Sequence, residues 1–315
     1  MSNIIRTPLT QALEEGALSR RELKQLMQRS DKPAFLRLIL WVSLVCCTGV
    51  LVYLSLGSWW LLPAMFMHGV VLVHHFSLQH ECCHYTAFKT RWLNDLVGNI
   101  CGLVIMLPHQ FFRYEHCDHH TYTQIKGKDT ELIELPQSVK GYLLYLSSLP
   151  YWQAKLSELW RHANGRLTSA EKKFVPREEM KTVVREARLM LFFYGSLFAL
   201  SLYFQSTALI WFWLLPVVLG EPIMRAIRMT EHVGRPTVSD MKTNTRSNRV
   251  SAPMRFLCWN MNYHAEHHYA SSVPFHALPK LSKRLSGYIH TEPGGYIGAH
   301  KDILAQLLGR TPRRG

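Results

Sequence analysis

The chain has 315 residues, of which 36 are lysine or arginine and 22 are aspartate or glutamate, so its formal net charge is +14. Charged residues make up only 18% of the chain, and they are segregated. Between Arg37 and Lys89, and again between Arg188 and Arg225, there is no lysine or arginine and only one acid. This segregation excludes a simple soluble domain, a disordered chain and a disulfide scaffold. The basic residues flank apolar stretches, where anionic lipid explains them better than nucleic acid.

Residues 1–33 are predicted to form a cytosolic N-terminal segment. They are polar and lack the apolar core of a signal peptide. Ser19 and Glu22 have the spacing of a capping box, which predicts a short helix. The seven cysteines show no disulfide-framework spacing, which favours a reducing compartment.

Four apolar spans are predicted, at about residues 38–56, 59–78, 189–204 and 208–224. Short uncharged turns join the first span to the second and the third to the fourth, so each pair is expected to form a hairpin. Lysine and arginine occur only at the open ends of the hairpins, which by the positive-inside rule face the cytosol. We therefore predict an all-α integral membrane protein with four transmembrane helices in two hairpins and a cytosolic helical cap.

Three further segments complete the predicted organisation. Residues 93–112 are apolar but carry polar side chains, and we expect them to enter the membrane partly and return to the same side. Residues 141–156 are predicted to form one amphipathic helix at the interface. The membrane domain is expected to cover residues 34–285, and residues 286–315 are predicted to form a basic C-terminal tail.

Histidine is the most informative residue of the sequence, with 17 occurrences. Three clusters have helical spacing, which places their side chains on one face of a helix. A further histidine follows the fourth span alone. The nine candidate metal ligands are His80, His84, His116, His119, His120, His232, His264, His267 and His268.

Nine histidines are too many for one tetrahedral zinc ion, but they suit two metal ions with four or five ligands each. Imidazole binds zinc, copper, iron and nickel, and redox chemistry on a membrane-buried substrate favours iron. Acids beside the ligands are candidates to accept hydrogen bonds from the imidazoles, although solvated surface acids are an equally good interpretation. These acids are Glu81, Asp118, Glu231 and Glu266.

Two other functions are compatible with parts of this pattern. His80 to His84 match the HExxH motif of zinc proteases, which would indicate an intramembrane metalloprotease. A protease needs only one further ligand, however, and leaves the two histidine triplets unexplained. A non-catalytic metal binder or transporter is the other alternative.

The three histidine boxes, HxxxH, HxxHH and HxxHH, resemble those of the membrane fatty-acid desaturase and hydroxylase superfamily. The segment 259–268, followed by Val273-Pro274-Phe275 and Leu278-Pro279, is similar to bacterial acyl desaturases and related hydrocarbon oxygenases. The resemblance implies that the nine histidines bind two ferrous ions in a cytosolic-side non-haem di-iron centre, in a multi-pass protein of the bacterial inner membrane. It also implies O₂ as co-substrate, a hydrophobic substrate from the lipid bilayer, and a separate electron donor, ferredoxin-type or cytochrome b5-like, with its reductase.

The resemblance implies oxidation of an unactivated C–H bond, with fatty-acyl desaturation leading and hydroxylation of a lipid, terpenoid or small amphiphile as the alternative. Two departures argue against simple stearoyl-type chemistry and leave hydroxylation open. Arg228 stands where stearoyl-type desaturases have an asparagine near the metal. The first box also has three intervening residues where the stearoyl type has four.

The remaining histidines and two arginines have simpler interpretations. His68, His74 and His75 lie inside a predicted span, where interhelical hydrogen bonding is the main alternative to a functional role. Arg225 and Arg228 are expected either to bind an anionic head group or to extend to the lipid surface. Surface positions are expected for His109, His162, His276, His290 and His300.

Overall fold

The structure, a computed structural model, describes residues 13–311. The ends of the predicted N-terminal segment and C-terminal tail, residues 1–12 and 312–315, lie outside the described residues. A two-residue parallel strand pair, β1 (Ser247–Asn248) and β2 (Thr291–Glu292), is the sheet within the described part. The α-helices are α1 (Arg20–Leu26), α2 (Asp31–Leu54), α3 (Leu61–Val73), α4 (His75–Cys83), α5 (Arg91–Ile105), α6 (His109–Tyr122), α7 (Val139–Leu146), α8 (Leu149–Ala163), α9 (Glu171–Phe174), α10 (Met180–Tyr203), α11 (Leu215–His232), α12 (Met241–Asn244), α13 (Ala252–Leu257), α14 (His264–Tyr269), α15 (Leu278–Arg284) and α16 (Gly295–Leu307).

Three helical segments of the described chain are long and apolar enough to cross a membrane: Asp31–Leu54, Leu61–Cys83 and Ile210–His232. They overlap most of the predicted spans 38–56, 59–78 and 208–224, with ends that differ by about two residues or more. The last begins with a π-helical turn, Ile210–Leu214, that continues into α11. These elements place the first histidine box and His232 at the ends of two long apolar helices.

The predicted span 189–204 lies within α10, which does not meet the same criterion of length and composition. Its first half carries several charged side chains, and its second half is apolar. Large apolar side chains point outward from that second half, with Phe192 74% and Phe198 63% exposed. Three candidate spans are therefore present, or four if the bent pair α5 and α6 counts as one.

Helices α5 and α6 meet at an angle of 98°. The bend lies between Met106, which ends α5 in the left-handed region with φ of 59°, and Pro108, which precedes α6. The side chain of Gln79 on α4 donates to the carbonyl of Leu107 in the bend, at 2.8 Å. The corner agrees with the predicted return of residues 93–112, and it turns the second histidine box back toward the first.

Helices α3 and α11 touch backbone to backbone at two glycines. A Cβ added at Gly69 would lie 1.9 Å from the carbonyl oxygen of Pro216, and one added at Gly220 would lie 2.3 Å from the carbonyl carbon of Gly69. Small residues allow this close approach between apolar helices. Since α3 leads to His80 and α11 ends at His232, the contact sets the distance between these two parts of the site.

The predicted amphipathic helix 141–156 is two helices, α7 and α8. Ser148 between them has a φ of 61°, and Pro150, in the first turn of α8, can begin a helix but cannot continue one. The capping box predicted at Ser19 and Glu22 is confirmed, at the start of α1.

Two of the histidines expected at the surface are buried, which corrects that prediction. His109 is 1% exposed, because α6 packs its ring against α5 at Gly98, whose added Cβ would lie 2.2 Å from it. His162 is 0% exposed, with its ring 4.5 Å from that of Phe111 and its Nε2 3.3 Å from Glu171.

The intramembrane histidines make structural hydrogen bonds. The Nδ1 atom of His68 lies 2.7 Å from the hydroxyl of Thr48 on α2, and its Nε2 lies 3.1 Å from the carbonyl of Phe212, so one ring links three helical segments. His75 accepts a hydrogen bond from the indole of Trp41 at 3.4 Å. These contacts are the interhelical bonding that the sequence suggested as the simpler interpretation.

Candidate metal centre

The nine candidate histidines come together as two groups in the described chain. Within each group the ring nitrogens able to bind a metal ion lie within 4.8 Å of one another. Group 1 consists of His80, His84, His116, His120 and His267. Group 2 consists of His119, His232, His264 and His268.

The helical boxes are shared between the groups in a regular way. On α6, the i and i+4 histidines, His116 and His120, join group 1, while the intervening His119 joins group 2. On α14 the order is reversed, because its i and i+4 pair joins group 2 and its intervening His267 joins group 1. Each helix therefore contributes to both groups, and the two groups are adjacent: the rings of His120 and His268 stack with centroids 4.2 Å apart.

The Nε2 atoms of each group point at one another. In group 1, His120 Nε2 lies 3.1 Å from His116 Nε2 and 3.1 Å from His267 Nε2. In group 2, His264 Nε2 lies 2.9 Å from His232 Nε2 and 3.1 Å from that of His268.

Two loop carboxylates fix the outward nitrogens of the second box. Glu131 Oε1 lies 2.7 Å from His116 Nδ1, and Asp129 Oδ1 lies 2.7 Å from His119 Nδ1. A carboxylate only accepts, so each Nδ1 carries the proton and each Nε2 presents a lone pair to its group. Asp129 is itself held by the backbone amides of Gln124 and Glu131.

Hydroxyl groups lie beside the outward nitrogens of two other group 2 ligands. His268 Nδ1 lies 3.2 Å from the hydroxyl of Thr123, and His232 Nδ1 lies 3.3 Å from the hydroxyl of Thr245. His264 Nδ1 lies 3.7 Å from Glu231 Oε1, which is close enough for an electrostatic contact. Group 2 is thus supported around its outer side by polar groups of the chain.

Burial favours the neutral form of most of the candidate imidazoles. It lowers the pKa of His84 to about 3, and it lowers the pKa of His264, His267 and His268 well below the ordinary value, with the neighbouring imidazoles adding to the effect. His119 is the exception, because burial is outweighed by its hydrogen bond to Asp129 and by the nearby carboxylates, which raise its pKa. A neutral imidazole is the form that binds a metal ion, so most of the candidate ligands are ready for a cation at neutral pH.

The four acids that the sequence offered as imidazole partners have different positions. Glu231 lies near His264. Glu81 instead accepts from the hydroxyl of Thr86 at 2.9 Å and the amide of Phe275 at 3.1 Å, which ties α4 to the segment after α14. Glu266 accepts from the hydroxyl of Ser247.

Asp118, the fourth acid, is partly exposed and belongs to neither group, although the charge of His119 is close enough to interact with its carboxyl group. Its electrostatic neighbours include Thr130 and Asp129. The carboxylates that contact the second box are therefore Asp129 and Glu131, which sequence reasoning missed. The available signal was the acidic stretch that follows the box, 129–134.

Arg225 and Arg228 are buried in ion pairs, in place of the lipid-facing or head-group roles expected from the sequence. They are 8% and 5% exposed. Arg225 Nε lies 2.7 Å from Glu221, while Arg228 contacts Glu131 and Glu231 at 2.5 Å each. Two of these ion pairs join side chains of α11 to each other, and the third joins α11 to the loop after α6.

A cavity of about 370 Å³ lies beside group 1. Phe76 and Phe112 line it, with their ring centroids 5.5 Å apart. Each of these rings also packs on a ligand: Phe76 lies 6.2 Å from His80, and Phe112 stacks on His116 at 5.2 Å. The two rings therefore lie between the histidines and this cavity, whose other walls carry both apolar and charged side chains.

The residues present fit two metal ions. Nε2 atoms of His80, His84 and His119 are buried and have no hydrogen-bond partner within residues 13–311. Lone pairs that face one another at about 3 Å repel unless a cation lies between them. An all-imidazole donor set of five and four suits borderline transition metals, iron among them.

A sequence model of the fatty acid desaturase family matches residues 57–298 of the chain, which include all nine histidines. The chain is also similar to an sn-1 oleoyl-lipid 12-desaturase of Picosynechococcus sp., with 25% identity over 76% of this chain and 73% of that protein.

Two further relatives differ in coverage. A chloroplastic omega-6 fatty acid desaturase of Spinacia oleracea is 23% identical over 84% of this chain and 61% of its own length. An sn-1 acyl-lipid omega-3 desaturase (ferredoxin) of Nostoc sp. is 30% identical over 32% of each chain.

Proposed function

The chain belongs to the fatty acid desaturase family, and we propose that it introduces a double bond into the acyl chain of a membrane lipid, using O₂ and two iron ions. The observation that supports this most directly is the arrangement of nine histidines as adjacent groups of five and four. Relatives from cyanobacteria and chloroplasts are named as lipid or fatty acid desaturases, which favours an acyl substrate. The enzyme is accordingly an oxidoreductase.

Groups 1 and 2 are proposed to hold one ferrous ion each. A pair of iron ions in such a site supplies the reduction of O₂ and the removal of hydrogen from an unactivated C–H bond. The chain's own residues fix the rotation of four imidazoles, through Asp129, Glu131 and the hydroxyls of Thr123 and Thr245.

The acyl chain is proposed to reach group 1 from the 370 Å³ cavity, past the edge of the aromatic pair that separates this cavity from the histidines. Phe76 and Phe112 offer it an apolar wall at the edge of the histidines. Positioning a methylene within reach of the metal ions is the step that decides which C–H bond reacts, because reactions of this kind depend on placement at the ångström scale. The same aromatic wall excludes water from the reacting carbon.

Four membrane spans in two hairpins, with the histidine site on the cytoplasmic face of the bacterial inner membrane, are also proposed. The outward apolar face of the second half of α10, at Phe192 and Phe198, supports its role as the remaining span. Residues 34–285 would then form the membrane domain.

Electrons are proposed to come from a separate ferredoxin-type donor and its reductase. The Nostoc relative is named as ferredoxin-dependent, and the net charge of +14 favours an acidic protein electrostatically. A cytochrome b5-like donor remains the alternative.

The test is mass spectrometry of lipids from cells that express the chain with a ferredoxin and its reductase. Acyl chains two mass units lighter, absent with the His268→Ala variant, support desaturation. An unchanged acyl pool contradicts it, and products sixteen units heavier in the acyl or unsaponified fraction indicate hydroxylation instead. The zinc protease alternative is disfavoured because His80 and His84 lie among three other histidines.

A further inference from the structure

We propose that Arg228 is a positioning residue shared by the two metal groups, holding one carboxylate that faces group 1 and another that faces group 2. The proposal rests on the metal site of the proposed function. It concerns how this chain couples the two halves of that site, and it assigns no contact with substrate to Arg228.

The connection to group 1 runs through Glu131. Arg228 Nη2 lies 2.5 Å from Glu131 Oε2, and the other oxygen of the same carboxylate lies 2.7 Å from His116 Nδ1. Glu131 thus uses one oxygen for the guanidinium and one for the ligand. If Arg228 moves, Glu131 loses the contact that fixes its plane, and His116 loses its fixed rotation.

The connection to group 2 runs through Glu231. Arg228 Nη1 lies 2.5 Å from Glu231 Oε2, and Glu231 Oε1 lies 3.7 Å from His264 Nδ1. That nitrogen is buried and has no hydrogen-bond partner in the part of the chain that the structure describes. The Glu231 carboxyl group is therefore placed to accept a hydrogen bond from this nitrogen after a small movement. Arg228 determines where that carboxyl group lies.

Burial makes this dependence strong. The side chains of Arg228, Glu131 and Glu231 are 6%, 9% and 6% exposed. Two carboxylates left together in such a place without their cation would repel and would have to rotate away or take up protons. Either change removes the negative charge that the two histidines face.

An arginine suits this position because its planar fork can bind two carboxylates from different directions. Its Cζ lies 5.2 Å from the ring centroid of Phe76, which restricts the plane of the guanidinium. A lysine would bring one compact charge and could contact one carboxylate well, but not both.

Arg225 provides the matched control within the same helix. It lies one turn before Arg228, lines the same cavity and is similarly buried. Its partners are Glu221, at 2.7 Å, and the ring of Tyr151, at 3.8 Å, and neither of these contacts a histidine ligand. Removing it therefore disturbs the cavity and a buried ion pair without touching either group.

The experiment is an anaerobic titration of the purified metal-free protein with Co²⁺, whose binding to imidazole is followed by its visible absorption. The variants His267→Ala and His264→Ala, each lacking a ligand of one group, assign the two binding steps. We expect Arg228→Gln to weaken both steps by about 10- to 100-fold, the range for losing an outer partner of a ligand. Glu131→Gln should weaken the group 1 step alone, Glu231→Gln the group 2 step alone, and Arg225→Gln neither.

The proposal is overturned if Arg228→Gln leaves both binding steps unchanged or weakens only one of them. It is also overturned if Arg225→Gln weakens the two steps as much as Arg228→Gln does. If Arg228→Gln does not fold, Arg228→Lys gives the same test, and we expect it to restore at most one step. A protein that binds two ions and shows the predicted pattern but makes no unsaturated lipid would contradict the proposed function alone. A wild-type protein that binds fewer than two ions overturns the metal site and this proposal together.

Discussion

Groups 1 and 2 contain the same kind of ligand but are supported differently. All four members of group 2 are buried, whereas His84 and His120 of group 1 are partly exposed. Carboxylate or hydroxyl groups lie beside outward nitrogens throughout group 2. In group 1, the Nδ1 atoms of His80 and His267 have no partner among residues 13–311, and Glu131 is the carboxylate that contacts a ligand.

The difference shows which half of the site the chain orders by itself. Group 2 is arranged by hydrogen bonds that do not require a metal ion. Group 1 brings its rings together by packing, so its final order depends more on the ion. Solvent access at His84 and His120 also gives a chelator a path to group 1, and we expect its ion to exchange first.

The largest expected effect is the loss of activity when a ligand of either group is removed. The two groups should not differ in this respect. We expect His84→Ala and His264→Ala each to reduce desaturation by about 100-fold or more, above the range for outer partners, because the reaction needs both ions. Product per enzyme and metal per chain are measured together, with His290→Ala as the control outside both groups. Retained activity in either ligand variant would show that one group is dispensable.

Asp129→Asn should remove the slower metal exchange that we expect for group 2. The amide can still occupy the space, but it no longer offers His119 a charged acceptor, so the group 2 ion should bind about 10- to 100-fold more weakly. The measurement is the release of metal to a chelator, which should change from one fast and one slow phase to two fast phases. Glu134→Gln, in the same acidic stretch but in an exposed pair with Lys126, should leave both phases as they are.

A change in the spacing between the helices that carry the two groups should affect both. Gly220→Ala places a methyl against the backbone of Gly69, and overpacking of this kind costs about 1–3 kcal/mol. Thermal unfolding in detergent micelles measures it. Gly195→Ala on α10, where an added Cβ meets nothing within 4 Å, should leave stability unchanged or raise it by up to about 1 kcal/mol, because alanine is the better helix former. Equal stability of the two variants would argue against the tight helix contact.

The smallest effect is a pH dependence that belongs to His84. Burial of its Nε2 among the other rings lowers its pKa to about 3, whereas the unfolded chain takes up the proton near 6.5. Through His84, the free energy of unfolding is therefore highest above about pH 6.5. It decreases as the pH falls from 6.5 toward 3, because the unfolded chain takes up the proton first. Between pH 7 and pH 6 the metal-free protein should lose about 0.7 kcal/mol through this residue, which His84→Gln should abolish and His290→Gln should not. A slope unchanged in His84→Gln would contradict this.

Three of the four predicted spans and the candidate ligands that come together in the structure were accessible from the sequence, because both follow local rules. Long uncharged stretches predicted the apolar helices, helical spacing selected eight of the histidines, and His232 was selected by its position after the fourth span. The division into groups was not accessible in the same way. His116, His119 and His120 share a helix face, and only the positions of α4 and α14 decide that His119 turns toward one group and its neighbours toward the other.

The supporting polar residues depend on tertiary structure. Asp129 and Glu131 lie in a loop without periodicity, so nothing local distinguishes them from solvated acids. Arg228 follows an apolar span, where a charge ordinarily indicates the membrane interface, and its burial results from the loop that folds back after α6. His109 was expected at the surface for a similar reason, because its burial results from the packing of α6 against α5 at Gly98.

The six-residue helix α14 also determines when the site can first exist. It supplies His267 to group 1 and two ligands to group 2, and it follows every other ligand in the chain. During translation, neither group can be complete until this helix has left the ribosome and docked against the helices that carry the other histidines. A nascent or truncated chain therefore exposes incomplete sets of histidines, so that assembly of the proposed metal site is coupled to the end of synthesis.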